Sequence, residues 1–124
     1  MKRYGTWLFG IAALVNLSVA IGFLVATGPI EALLGLDPIR GTNLMLLNFA
    51  ALVVGLFGYG YVRIALDPVR FRPQILIGAL GKLLAELSAL APWLRGEISF
   101  LLPALLLFDV VFALLFLDYL RRTG

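Results

Sequence analysis

The chain has 124 residues with a net charge of +3, and 62% of them are hydrophobic while only 14% are charged. Typical globular proteins carry about 45–50% apolar and about 25% charged residues, so there is too little polar surface here to cover a water-soluble fold, and lipid is the expected solvent. The absence of cysteine and histidine excludes disulfides, thiolate or imidazole metal sites, the usual haem ligands, and serine-histidine or cysteine-histidine catalysis.

The basic opening Lys2-Arg3-Tyr4 leads into an apolar run from Trp7 to Thr27. That run exceeds the 7–15 residues of a signal-peptide core, so it reads as a retained first span. Four segments are long enough to cross about 30 Å of hydrocarbon as helices: residues 5–27, 42–63, 73–94 and 98–119. They are too continuously apolar for barrel strands with alternating faces. The predicted fold is therefore all-α: one transmembrane domain over 1–124, an integral membrane four-helix bundle running up-down-up-down.

Between the first two spans, Pro29 suits a first helical position and Glu31 a helix N-terminus, which predicts a short interfacial helix within 28–41. Leu36-Asp37-Pro38-Ile39-Arg40 is echoed by Leu66-Asp67-Pro68-Val69-Arg70. Aspartate before proline has the form of an N-cap and N1 pair ahead of each following span. The echo is either a repeated start signal or the trace of a helix-pair duplication.

Lys2, Arg3, Arg63, Arg70, Arg72, Arg121 and Arg122 fall on one side of the four spans, and only Arg40 and Arg95 on the other. Cytoplasmic loops carry the excess of Lys and Arg, so both termini are expected on the cytoplasmic side. Tyr4, Trp7, Tyr61 and Tyr119 on the inner side and Trp93 on the outer side fit aromatic belts at headgroup depth. Because the basic residues sit at the ends of apolar runs, they read as membrane anchors, and nucleic acid is set aside as a partner.

The spans contain few strongly polar residues: Asn16, Asn48, Lys82, Glu86 and Asp109. A charge at bilayer depth costs about 2.5–3.5 kcal/mol even on a lenient scale, so such residues face the bundle interior and pair. At about 1.5 Å per residue, Lys82 lies roughly 15 Å from Arg72 and Asp109 roughly 14 Å from Asp118, level with one another. Glu86, Asn48 and Asn16 fall roughly 20–22 Å from the inner ends of their spans, so all five converge on one central layer. Lys82 and Glu86, four apart, share a helix face and can hydrogen-bond along it, with Asp109 approaching from the next helix.

One ammonium and two carboxylates leave an excess negative charge, so either a carboxyl holds a proton or a cation binds. The cluster thus reads in two ways, as a buried network fixing helix register or as a site for protons or a small lipophilic or cationic ligand, with Tyr59 beside an access route. No catalytic residue, metal site or cofactor is assigned. A lysine beside carboxylates also suits a Schiff-base aldehyde site, but the central layer is too lean in aromatics for a chromophore pocket.

Small residues line the same faces, in Gly22 and Ala26, Ala51 and Gly55, and Gly81, Ala85 and Ala89, and allow close helix approach. With Gly55-Leu56-Phe57-Gly58-Tyr59-Gly60 in the second span and Gly81-Lys82-Leu83 in the third, the layout resembles the DoxX-like proteins, small bacterial membrane proteins of four helices. That resemblance implies a place in the bacterial cytoplasmic (inner) membrane and, from some members, a subunit of a membrane redox system. Small multidrug transporters use a glutamate in the first span, which is missing here, and dual-topology fluoride channels lack this charge bias. Three classes of function follow: a binding or transport module, an accessory subunit in a homo-oligomer or larger membrane complex, and a redox-system subunit.

Overall fold

A computed structural model describes residues 2–124. It is all-α, with five helices in chain order: α1 Lys2–Val25, α2 Thr27–Leu34, α3 Thr42–Leu66, α4 Arg72–Leu94 and α5 Leu101–Thr123. Helices α1, α3, α4 and α5 are long and apolar enough to cross a membrane, and α2 is the short helix between the first two. This is the architecture of a multi-pass membrane protein. The start of α1, the end of α5 and the α3–α4 turn lie at one end of the bundle, the terminal end; α2 and the α4–α5 turn lie at the other, the α2 end.

The helix limits have local causes. Helix α1 stops at Val25, two residues before the expected limit of 27, because Pro29 lacks the N–H that would reach the Val25 carbonyl and its ring would collide with it. One non-helical residue, Ala26, then suffices before α2. Pro29 is accordingly the third residue of α2 rather than the first. Helix α2 ends at Gly35 in the left-handed region (φ 64°), with the Leu36 N–H on the Glu31 carbonyl at 3.0 Å. Helix α4 closes in the same way, with Gly96 at φ 74° and the Glu97 N–H on the Pro92 carbonyl at 2.9 Å. A Cβ at Gly35 would meet no neighbour, so Gly35→Ala isolates the backbone penalty: a loss of about 1 kcal/mol is expected in a denaturation experiment, and an unchanged stability would argue that α2 does not close this way.

The two Asp-Pro signals part company. Asp67 starts a tight turn, accepting the Arg70 N–H on its carboxylate at 3.2 Å, although α4 itself begins only at Arg72 with Phe71 before it. Asp37 caps nothing: α3 starts at Thr42 after Gly41, and Asn43 reaches back to the Pro38 carbonyl at 2.9 Å. Glu31 does not serve a helix N-terminus either, since its carboxylate accepts the Ile39 N–H at 2.7 Å and pins the loop to α2. The α2 end is tied across the bundle by Ser99, whose hydroxyl donates to the Leu34 carbonyl at 3.2 Å.

Helix α1 packs along α3, and α4 along α5. Small residues permit the first approach, for a Cβ at Gly55 would stand 3.4 Å from that of Ala20 and one at Gly58 3.0 Å from Leu17. At the terminal end the two pairs meet through aromatic rings. Phe9 lies 4.7 Å from Phe116 and 5.5 Å from Tyr119, and Tyr61 lies 5.3 Å from Phe116, edge to face. Tyr61 and Tyr119 are thus not belt residues: at 2% and 4% exposure they face inward, while Tyr4 and Trp7 face outward. Arg72 fastens the same end by donating to the Thr123 hydroxyl and, at 2.7 Å, to the Leu120 carbonyl, one of those left free where α5 ends.

Candidate functional site

Midway along the bundle a polar network crosses all four long helices. Lys82 of α4 donates to Oδ1 of Asp109 on α5 at 2.8 Å and to Oδ1 of Asn16 on α1 at 3.1 Å. The amide nitrogen of Asn16 donates to the Val54 carbonyl of α3 at 3.1 Å. The orientation is self-consistent, because the Asn16 oxygen meets an ammonium and its NH2 meets a carbonyl. The Lys82 ammonium also lies 5.3 Å from the Tyr61 ring centre and 5.4 Å from that of Phe112, close enough for attraction to the ring faces. Lysine 82 is 5% exposed, so nearly every direction around it is taken by protein.

Asp109 is different. Its side chain remains 27% exposed, and none of the hydrogen bonds among the described residues falls on its second carboxylate oxygen. Asn16, Lys82 and Asp109 together form the polar floor of a cavity of about 390 Å³ that extends toward the α2 end. The remaining wall is apolar, with Val19 and Phe23 from α1, Leu47 from α3, Ala85 from α4 and Leu105 from α5. Such a chamber has the usual composition of a small-molecule site, an apolar body with a few convergent polar groups.

The other predicted site residues lie apart from this floor. Glu86 is half-buried, forms no ion pair with Lys82 among the described residues, and leaves Oε2 enclosed without a hydrogen-bond partner. The direction of the helix explains the separation. Side chains lean toward the helix N-terminus, so Lys82 leans toward the terminal end and away from Glu86, which lies one turn toward the α2 end; the Lys-before-Glu order is also the weaker arrangement at this spacing. Asn48 is half-buried and belongs neither to the network nor to the cavity wall. Tyr59 lies outside the central chamber, in a groove between α3 and α4 at the terminal end, where its hydroxyl accepts from Arg63 at 3.2 Å.

Sequence reasoning missed Tyr61 and Phe112 beside the ammonium. The spacing of Phe57, Tyr61 and Ile64 by four and three residues put them on one helical face, a signal obscured by the reading of Tyr61 as a belt residue. Among the described residues no group of His, Cys, Asp and Glu is arranged to hold a metal ion. Comparison with family models, curated proteins and solved structures finds no match. The DoxX-like resemblance therefore rests on the four-span layout alone.

Proposed function

We propose that this protein is an intramembrane binding module whose central chamber takes a small lipophilic molecule with a cationic or hydrogen-bond-donating head. The reading is carried by the chamber's floor: Lys82 is buried, with two of its three donors on Asn16 and Asp109 and two aromatic rings beside it, whereas Asp109 keeps one carboxylate oxygen uncommitted and partly open toward an apolar space of about 390 Å³. The site therefore has an acceptor to offer and an apolar body to surround, which suits a hydrophobic amine or a hydroxyl-bearing lipophile better than an anion. The strong bias of Lys and Arg to the terminal end favours a cytoplasmic-membrane orientation with both termini inside, so that the chamber extends from the bilayer centre toward the outer leaflet.

The test is a thermal-stability screen of the detergent-purified protein against hydrophobic amines, quinols and fatty acids. Hydrophobic amines or quinols at saturating concentration are expected to raise the melting temperature, because a ligand that binds only the folded state stabilises it by mass action. Ala85→Leu, which fills the chamber without altering a charge, should abolish the shift, and Asp109→Asn should raise at least about tenfold the amine concentration needed for a given shift, the affinity loss expected of one charge-assisted contact. A screen in which only fatty acids stabilise, or in which Ala85→Leu responds like the parent, would overturn the assignment.

A further inference from the structure

A second cavity, separate from the Asp109 chamber, lies between α3 and α4 at the terminal end. It is a groove of about 410 Å³ with Leu56, Ile64 and Ile77 along its wall and Arg63, Phe71 and Gln74 at its mouth. From Arg63 to Leu56 the wall extends roughly 10 Å along the α3 axis, the distance covered by seven helical residues. Gly60 opens the groove, since a side chain placed there would meet nothing within 4 Å.

Positive charge gathers at the mouth and just beside it, for Arg63 lines the groove and Arg70 lies outside the lining against the same Phe71 ring. The guanidinium groups of Arg63 and Arg70 both stand against the Phe71 ring, at 5.2 and 5.4 Å from its centre. Neither lies within ion-pair distance of a carboxylate among the described residues: the ion pairs at this end are those of Arg121 and Arg122 with Asp118. Arg63 spends one donor on the Tyr59 hydroxyl, and the nearby Asp67 carboxylate accepts the backbone N–H of Arg70 on one of its two oxygens. A guanidinium carries five donors in a fixed fork suited to phosphate oxygens, so most of this capacity is directed outward.

We propose that this groove is a binding site for one anionic phospholipid, with its phosphate between Arg63 and Arg70 and one acyl chain lying along Leu56, Gly60 and Ile77. The two halves of the site match the two halves of that molecule. The arginines stand where the helices leave the apolar layer, at headgroup depth, and the apolar groove continues inward from them, the arrangement by which basic pockets between transmembrane helices select acidic lipids. A zwitterionic lipid could enter the same groove, but its own ammonium would be held against the two guanidiniums.

Native mass spectrometry of the full chain, released from detergent supplemented with equal amounts of phosphatidylglycerol and phosphatidylcholine, tests this directly. The parent protein is expected to retain one phosphatidylglycerol with about tenfold or greater preference, the order expected from two basic residues acting at a membrane surface. The double variant Arg63→Gln with Arg70→Gln should lose the preference, whereas Arg121→Gln with Arg122→Gln, which removes the same charge from the same end, should keep it. Gly60→Leu should lower retention of both lipids by occupying the groove without lowering the melting temperature, since glycine is the poorer helix former. Equal loss in the two arginine double variants would overturn the site in favour of diffuse charge attraction. Full competition by inorganic phosphate at matched concentration would overturn the acyl half, and a lipid-free dimer of this chain as the retained species would make the groove a subunit interface instead.

Discussion

Asp109→Ala is expected to destabilise the protein by about 3–5 kcal/mol, because it leaves the Lys82 ammonium in the middle of the bundle with no counter-charge. At 5% exposure that ammonium has almost no route to water, and its remaining partners are the Asn16 oxygen and the Tyr61 and Phe112 rings. Ring faces contribute on the order of 2 kcal/mol when desolvated and do not replace a carboxylate. The double variant Lys82→Met with Asp109→Leu should recover part of the loss, since replacing both members of a buried pair by apolar groups is close to neutral. The shortfall, about 1–3 kcal/mol, falls on the Asn16 oxygen left without a donor. Equilibrium unfolding in mixed micelles measures both variants; an Asp109→Ala loss below about 0.5 kcal/mol would mean that water reaches Lys82 through the chamber.

Gly78→Ala should cost about 1–3 kcal/mol, although alanine is the better helix former by about 1 kcal/mol. The added Cβ would stand 2.8 Å from Cε1 of Tyr61. That ring has nowhere to move: Phe116 lies 5.3 Å away, Phe57 6.3 Å away, and Lys82 holds position against it. Gly10→Ala supplies the control, for a Cβ there meets nothing within 4 Å, and the helix propensity term alone should leave that variant neutral or slightly more stable. Melting temperatures of the pair separate packing from propensity, and two equal values would show that Tyr61 yields.

Much of this arrangement was legible in the chain because depth in a membrane is nearly a linear function of sequence. Counting 1.5 Å per residue from the basic ends put Lys82 level with Asp109, and these two meet at 2.8 Å. The same count put Asn16 about one turn from Lys82, within reach of a long side chain, and it receives the ammonium at 3.1 Å. Depth alone does not give azimuth or lean, however. Glu86 is close to the right height but on the wrong side of the Lys82 side chain, and Asn48 at similar depth joins no bond of the network. Tyrosine is equally suited to a headgroup belt and to a bundle core, so Tyr61 and Tyr119 were misplaced until their neighbours were known. The helix limits show a different gap. Hydropathy detects the apolar part of a helix, whereas hydrogen bonding carries α5 on through Arg121 and Arg122 to Thr123 and starts it only at Leu101, beyond the Gly96 turn.

The aromatic packing between the helix pairs has a mechanical consequence. Interlocked rings make the centre of the terminal half nearly incompressible, as close-packed protein interiors are, while the more enclosed of the two spaces between the pairs, the Asp109 chamber, lies toward the α2 end. Hydrostatic pressure acts on a protein through such void volume. Pressure is therefore expected to draw the α1–α3 and α4–α5 pairs together at the α2 end, with the contact of Phe9, Tyr61 and Phe116 as the pivot.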